Sequence, residues 1–210
     1  MSGVDEAEEY DAMDFSETDR LFAERAAALA AGAKWIVDIG AGNAKIPLTV
    51  CSLLNNRARI CAIDMSEQML AVAAKHLDGS PLHLIVGDAK RLPFPDASVD
   101  LVISNSLIHH IPDPRFVLRE IARISRPDAA LLIRDLVRPD SDAEVEHLVA
   151  TYGAGWSSLQ RRLFSDSFHA ALTLQEMREC LDSCGLARAS LAKVTDRHWS
   201  AEFPPSAARP

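Results

Sequence analysis

Several features that would suggest a membrane-bound, exported or repetitive protein are missing from this chain of 210 residues. No apolar run is long enough to cross a membrane, and no signal peptide is recognisable at the start, so neither a membrane span nor export is expected. Internal repeats and low-complexity segments are also absent. The length and the hydrophobic content of 48% instead suit one domain with a sizeable core.

Cysteine is scarce and does not form a spaced framework. The four cysteines lie inside helical or strand patterns, at Cys51, Cys61, Cys180 and Cys184. A reduced, cytoplasmic protein is therefore expected. Cys180 and Cys184 have helical i, i+4 spacing and could bind a soft ion or an arsenical, but two thiols on an apolar helix face are more often buried packing.

Positive charge is in the minority, with 22 Lys and Arg against 30 Asp and Glu and a net charge of −8. Residues 1–20 hold eight acids against Arg20, so this segment carries −7 and the rest of the chain −1. A nucleic-acid substrate would require a basic stripe. No nucleic-acid partner is expected.

The most informative segment that is present runs from Val37 to Ala44. An apolar run ends in Asp38 and is followed by two spaced glycines, Gly40 and Gly42, which predicts a strand, a tight turn and a helix N-terminus. Glycine lets the backbone turn sharply and approach a ligand closely. A dinucleotide fingerprint would place a third glycine where Lys45 stands, so a nicotinamide-dependent oxidoreductase is the weaker interpretation.

Two further predicted strands also end in acids. The strand over Arg59–Ile63 leads to Asp64, about twenty residues past the glycines, where α/β nucleotide folds place a carboxylate that accepts from a ribose diol. The alternative, that Asp64 caps the next helix, is weaker because Ser66 is better placed for it. The strand over Leu82–Val86 leads to Gly87-Asp88-Ala89 and then to Leu92-Pro93-Phe94.

These segments together resemble the class I S-adenosylmethionine (SAM) dependent methyltransferases of small molecules. The first motif of that family is acidic-x-Gly-x-Gly-x-Gly, which Asp38, Gly40 and Gly42 match, whereas Ala44 replaces the last glycine. The Gly-Asp-Ala and Leu-Pro-Phe segments are similar to the second and third family blocks. The resemblance covers about residues 34–200 and implies a Rossmann-like, doubly wound α/β sheet of seven mostly parallel strands, the last antiparallel, with helices on both faces.

The resemblance also implies SAM as cofactor, S-adenosylhomocysteine as product, and a small-molecule methyl acceptor as partner. In that family the acid after the second strand holds the ribose, the acid of Gly-Asp-Ala and the following backbone read adenine, and the residue matching Met65 packs on the ring. The residues expected to hold SAM are Asp38, Gly40, Ala41, Gly42, Asp64, Met65, Asp88, Ala89 and Asn105. A non-catalytic SAM-binding or partner-binding protein remains an alternative.

Candidate catalytic residues follow the fourth and fifth predicted strands, over Leu101–Ser104 and Ala129–Ile133. Ligands of open α/β sheets bind outside the carboxyl ends of the strands, so His109, His110 and Asp135 should border the reacting methyl group. Either imidazole could orient a substrate or take its proton; the alternative is that one histidine packs and the other is exposed. Arg134 and Asp135 either touch the substrate or pair to lock the strand end. No metal is expected, since adjacent histidines do not share a helix face.

The domain organisation predicted from these patterns has two parts. Residues 1–33 form an acidic N-terminal arm and a first helix, a possible lid in which Tyr10 and Asp14 could line the closed site. Residues 34–210 form the methyltransferase domain, with a helical insertion over about residues 141–168. The residues in or beside the insertion that could meet a ligand, rather than simply pack, are Tyr152, Trp156, Arg161, Arg162 and His169.

The end of the chain follows a regular pattern again. Thr173 and Glu176 form a capping box for a helix that ends near Gly185, and strands are predicted over about Ala187–Lys193 and Arg197–Phe203. Asp196-Arg197-His198-Trp199 has an unusual composition. This segment either reaches the active site or anchors the tail, and the sequence does not choose between them.

Overall fold

The centre of the molecule is a seven-stranded sheet with the order β3-β2-β1-β4-β5-β7-β6, seen in a computed structural model that describes residues 16–77 and 79–206. The strands are β1 (Trp35–Ile39), β2 (Arg59–Asp64), β3 (Leu82–Val86), β4 (Val99–Asn105), β5 (Ser125–Leu136), β6 (Ser190–Lys193) and β7 (His198–Phe203). Strands β1 to β5 pair in parallel, and β7 is antiparallel to both of its neighbours. The predicted fold class is confirmed.

Helices cover both faces of this sheet, as the alternation of strand and helix patterns predicts. They are α1 (Ser16–Leu29), α2 (Lys45–Leu53), α3 (Glu67–Ala74), α4 (Arg115–Ile124), α5 (Asp142–Tyr152), α6 (Ser158–Ala170) and α7 (Leu174–Ser183), with a 3₁₀ turn over Ile108–His110. In the described residues no helix is both long and apolar enough to cross a bilayer.

Alternation along the strands divides the apolar core between the two faces. On one face Ile36, Ile60 and Leu101 pack with Phe22 of α1 and Val50 of α2. On the other face the alternate strand residues pack with α4 and α7. Both faces are therefore buried, which explains why the parallel strands are continuous apolar runs in the sequence.

A third apolar cluster lies in the insertion. Phe164 and Phe168 of α6 pack with Val145 and Leu148 of α5 and with Leu136 at the end of β5. Helix α6 also contacts the 3₁₀ turn. The insertion helices are therefore anchored next to the carboxyl ends of the strands.

The predicted start of the fifth strand is wrong. That strand was predicted to begin at Ala129, but β5 begins at Ser125, directly after α4. The reason is that Ser125 pairs with Val99 of β4, and pairing with a neighbouring strand overrides a local preference for turns. The capping box of Thr173 and Glu176 is present at the start of α7 as predicted.

Candidate active site

The loop after β1 lies where three structural elements meet. Gly40 and Gly42 have φ values of +74° and +54°, which glycine adopts without strain. The backbone N–H groups of Gly40 and Ala41 both donate to the carbonyl of Ile63, at 2.8 and 2.9 Å. A Cβ atom on Gly40 would lie 2.8 Å from Leu107 Cδ1. Internal packing against Leu107 therefore requires glycine here, in addition to any approach of a ligand.

Asp38 is a buried acid at the end of β1, with 2% of its surface exposed. Burial, reinforced by the charges of Asp64 and Asp19, raises the pKa of its carboxyl group to about 8. Such a group needs either a proton or a cation beside it, so its surroundings fit a ligand ammonium group.

Asp64 lies at the end of β2 and faces the glycine loop. One carboxylate oxygen accepts from Gly42 N and the other from Ser66 N, both at 2.8 Å. Ser66 Oγ in turn caps α3 by accepting from Met69 N. Because each carboxylate oxygen has two acceptor positions, Asp64 keeps room for two hydroxyl donors from a ribose.

The outer part of the same edge combines exposed apolar surface with an acid. Met65 and Val86 are 72% and 54% exposed, and they follow or pair with Asp64 at the ends of β2 and β3. Asp88 accepts from Lys90 N and lies 2.8 Å from Lys90 Nζ, and the side-chain hydrogen bond to Lys90 holds the pKa of Asp88 below its usual value. Ala89, in contrast, is buried. An apolar platform beside a carboxylate has the chemistry that a purine ring with an amino group requires.

Asn105, at the end of β4, contacts Arg134 directly. Its Oδ1 accepts from Arg134 Nε at 2.8 Å, and Arg134 Nη1 donates to the carbonyl of Thr18 in α1. Arg134 also stacks over Phe22, with its guanidinium carbon 4.8 Å from the ring centroid. Arg134 therefore ties α1 to the sheet edge and does not form the pair with Asp135 that was one of the two sequence interpretations.

Asp135 instead binds His109. Asp135 Oδ1 lies 2.6 Å from His109 Nδ1 and Oδ2 accepts from Ile108 N at 2.5 Å, and both side chains are almost fully buried. Burial alone would raise the pKa of Asp135, but His109 and the backbone donors lower it overall. An ionised Asp135 fixes the ring and leaves Nε2 as the nitrogen available to a substrate. His110 is exposed, with its ring centroid 4.0 Å from that of His109.

The insertion residues that the sequence singled out have different surroundings. The Tyr152 hydroxyl donates to Asp196 at 2.6 Å, and Arg197 stacks on the Tyr152 ring. Trp156 packs edge-on against Phe164. The remaining candidates of the insertion are exposed and lie on the outer side of α6: Arg161, Arg162 and His169.

The other expectations lie elsewhere in the chain. Cys184 is buried and Cys180 partly buried, in agreement with packing by both thiols. Tyr10 and Asp14 fall outside the described residues. Sequence reasoning missed Asp19 and Leu107, because their roles depend on the long-range approach of α1 and of the 3₁₀ turn, for which no local pattern exists.

Comparison with known proteins identifies the domain. Residues 37–133, from β1 to β5, match the family described as a methyltransferase domain. The demethylmenaquinone methyltransferase of Thermotoga maritima is 35% identical over 125 residues, 58% of this chain and 53% of the relative. The demethylmenaquinone methyltransferase of Desulfitobacterium hafniense is 27% identical over 164 residues, which cover 72% of this chain and 65% of the relative. The chain thus spans about half to two thirds of the length of these curated relatives.

Solved structures show the same fold. The plantazolicin methyltransferase BpumL in complex with SAH has a TM-score of 0.74 at 17% identity, over 96% of this chain and 91% of that one. A SAM-dependent methyltransferase from Aquifex aeolicus has a TM-score of 0.68 at 16% identity, over 96% of this chain and 98% of that one. Residues 37–133 thus form a methyltransferase domain, and the seven-stranded sheet has the fold of SAM-dependent methyltransferases.

Proposed function

We propose that this protein transfers the methyl group of SAM to a small molecule whose nucleophile must lose a proton. The observation that carries the proposal is the presence, along one sheet edge, of the buried acid Asp38 and of the buried His109–Asp135 pair. The first suits the amino end of the cofactor, and the second suits proton removal. The two lie at the ends of neighbouring parts of the sheet, β1 on one side and β4 to β5 on the other.

Each proposed cofactor-binding role is supported by a feature of the structure. Asp38 offers a buried carboxylate to the ammonium group, and Asp64 offers free acceptor positions to the ribose hydroxyls. Met65 supplies exposed apolar surface to the adenine ring, with Asp88 and the Ala89 backbone at its edge. Gly40, Ala41 and Gly42 keep the loop close to the ligand. Asn105 acts through Arg134, whose guanidinium group it positions.

His109 is the proposed general base. SAM supplies an activated methyl group, so the protein needs mainly to align donor and acceptor, and such positioning supplies on the order of 7–11 kcal/mol. His109 Nε2 takes the proton from an O–H or C–H acceptor as the new bond to the methyl carbon forms and the bond to sulfur breaks. Asp135 holds the ring and stabilises the resulting imidazolium.

The relatives support an oxygen or carbon acceptor. Proteins named demethylmenaquinone methyltransferase are those that this chain matches at 27% and 35% identity. Since a neutral amine can accept a methyl group without a base whereas a phenol or an activated carbon cannot, a buried His–Asp pair favours the second class. The predicted domain organisation, with residues 1–33 as a lid and 141–168 as an insertion that covers the acceptor, is part of this proposal.

The proposal is tested by calorimetric titration with S-adenosylhomocysteine, SAM and NAD. Micromolar affinity for the first two ligands is expected, and it should be lost in Asp64→Ala and Asp88→Ala. Asp182→Ala is the matched control, because Asp182 is an exposed acid on α7 that pairs with Arg178 of its own helix. Binding of NAD alone would contradict the proposal.

Turnover is tested separately with a panel of small phenols and acids, followed by the release of S-adenosylhomocysteine. Methyl transfer to any member, lost in His109→Gln, supports the enzyme. Tight binding of SAM with no transfer to any acceptor would favour a non-catalytic SAM-binding protein instead.

A further inference from the structure

Two buried donors without acceptors lie within three residues of the chain at the start of β7. The described residues contain three buried side-chain polar atoms without a hydrogen-bond partner, and two of them are Arg197 Nε and Trp199 Nε1. Buried polar groups in folded proteins are nearly always paired. Two unpaired donors within three residues therefore indicate that an acceptor from outside the chain belongs here.

Arg197 is held rigidly in place. Its backbone N–H donates to Thr195 Oγ1 and its carbonyl accepts from Val137 N, at 3.2 and 2.9 Å. Its guanidinium carbon lies 3.4 Å from the centroid of the Tyr152 ring, and the residue is only 8% exposed. The backbone contacts fix Arg197 beside the end of β5, and the stack fixes its guanidinium group beneath the last residue of α5.

Two further basic side chains are buried near Arg197. Arg134 and His198 are both 7% exposed. Burial, together with the charges of Arg134 and Arg197, lowers the pKa of His198 to about 3, so its imidazole is neutral near pH 7 and contributes no charge beside the two arginines.

The neighbouring carboxylates are already engaged. Asp135 binds His109, Asp196 accepts from the Tyr152 hydroxyl, and Asp19 lies 3.9 Å from Arg134 Nη2. None of them binds Arg197 Nε. Burying a guanidinium group without a paired anion is costly.

We propose that Arg197 binds a carboxylate group of the methyl acceptor, and hence that the acceptor is a small organic acid. The inference rests on the proposed function and deepens it. A guanidinium group presents a planar fork of donors that matches a carboxylate in a bidentate geometry. The stacked Tyr152 ring holds the plane of that fork.

The position of Arg197 relative to the proposed base supports this. Trp199 is paired with Asp135, and the Arg197 carbonyl binds Val137, two residues farther along β5. Two strand residues span about 7 Å, which is close to the length of one aromatic ring with a substituent. A carboxylate at Arg197 would therefore orient the body of a small acid towards His109, under the insertion helices.

The test uses the full chain saturated with S-adenosylhomocysteine and two matched pairs of probes, acetate with acetamide and benzoate with benzamide. At least one carboxylate should bind with millimolar affinity and its amide at least about tenfold more weakly. Arg197→Gln should weaken the carboxylate at least tenfold and leave the affinity for S-adenosylhomocysteine within twofold. Arg197→Lys, which keeps the charge but lacks the fork, should be intermediate.

Arg188→Gln is the control, because Arg188 also stacks on an aromatic ring, at 3.8 Å from the Phe203 centroid, but is exposed and donates to the carbonyls of Pro127 and Ala129. It should change neither affinity. The inference is overturned if acids and amides bind equally well or do not bind at all. It is also overturned if Arg197→Gln weakens S-adenosylhomocysteine as much as the carboxylate, because Arg197 would then belong to the cofactor site. Failure of the unaltered protein to bind S-adenosylhomocysteine contradicts the proposed function itself.

Discussion

The two halves of the sheet edge are built in different ways. In the half formed by β1 to β3, the groups proposed to bind the cofactor are acids and glycines at or just after the strand ends, and they contact one another, as Gly42 N does with Asp64. In the half formed by β4 to β7, the important groups are side-chain pairs between distant elements, such as His109 with Asp135 and Tyr152 with Arg197. In the proposed function, the first half binds the cofactor and is called the cofactor half, and the second half selects the acceptor and is called the acceptor half.

The largest expected effect is a loss of catalysis without a loss of cofactor binding, produced by a change in the acceptor half. His109→Gln removes the proposed base, so kcat should fall by about 10²–10⁴, while the affinity for S-adenosylhomocysteine stays within about twofold because His109 lies in the acceptor half. Methyl transfer is measured as release of S-adenosylhomocysteine with the acceptor that the screen identifies.

Variants of two other histidines test whether the loss of kcat is specific to His109. His110→Gln should reduce kcat by less than tenfold, since His110 is exposed, and His147→Gln, at an exposed position of α5, should be neutral. A loss in His110→Gln equal to that in His109→Gln would show that the pair with Asp135 does not select the base.

A change in the cofactor half should instead weaken cofactor binding. Asp38→Asn keeps the shape of the side chain but removes the charge, so the affinity for S-adenosylhomocysteine should fall by about 100-fold, or about 3 kcal/mol, as for a truncated buried ion pair. Calorimetry measures this loss. Asp142→Asn, an exposed acid in the first turn of α5, should bind as the unaltered protein does. An unchanged affinity in Asp38→Asn would remove Asp38 from the proposed site.

The same variant should be more stable than the unaltered protein in alkaline solution without ligand. An unfolded aspartate has a pKa of about 3.9, whereas burial and two acidic neighbours raise that of Asp38 to about 8. The folded protein therefore binds the extra proton, so the stabilisation is complete below about pH 4 and is lost as the pH rises through about 8. The free energy of unfolding should fall by at most about 1.4 kcal/mol per pH unit in this window. Urea titrations across the window should give a smaller slope for Asp38→Asn.

The glycine loop connects the halves through Leu107. Gly40→Ala should destabilise the fold by about 2 kcal/mol or more, since a Cβ atom would overlap Leu107 and the positive φ disfavours alanine. A double-mutant cycle with Leu107→Ala measures the packing share, and we expect a coupling of about 1–2 kcal/mol. Additive effects of the two changes would mean that Gly40 is needed for its backbone conformation alone.

The sequence predicts the cofactor half better than the acceptor half. Asp38, Asp64 and Asp88 each end an apolar run, and parallel pairing brings strand ends to one edge, so their alignment follows from local patterns and topology. The bounds of β3 were predicted to the residue, whereas β5 was not, because pairing of Ser125 with Val99 is a long-range effect.

The acceptor half was less accessible to prediction for a related reason. His109 and Asp135 were both named as candidates, but their pairing requires the 3₁₀ turn to lie against β5, and 26 residues separate them. Arg197 meets Tyr152 only because β7 returns antiparallel beside β5. Composition made the Asp196–Trp199 segment unusual, but only the fold brings it under α5.

The smallest expected effect concerns the residue at which the first motif departs from the family pattern. Ala44 has a φ of 60° and is fully buried. Ala44→Gly should relieve about 1–2 kcal/mol of left-handed strain and lose about 0.8 kcal/mol for the buried methyl group, so stability should rise by about 1 kcal/mol or less. Affinity for S-adenosylhomocysteine should stay within twofold, because Ala44 begins α2 behind the loop rather than facing the ligand. If urea titrations show that the variant is less stable, the packing of the methyl group contributes more free energy than the backbone strain costs. The alanine would then be a structural adaptation of the cofactor half.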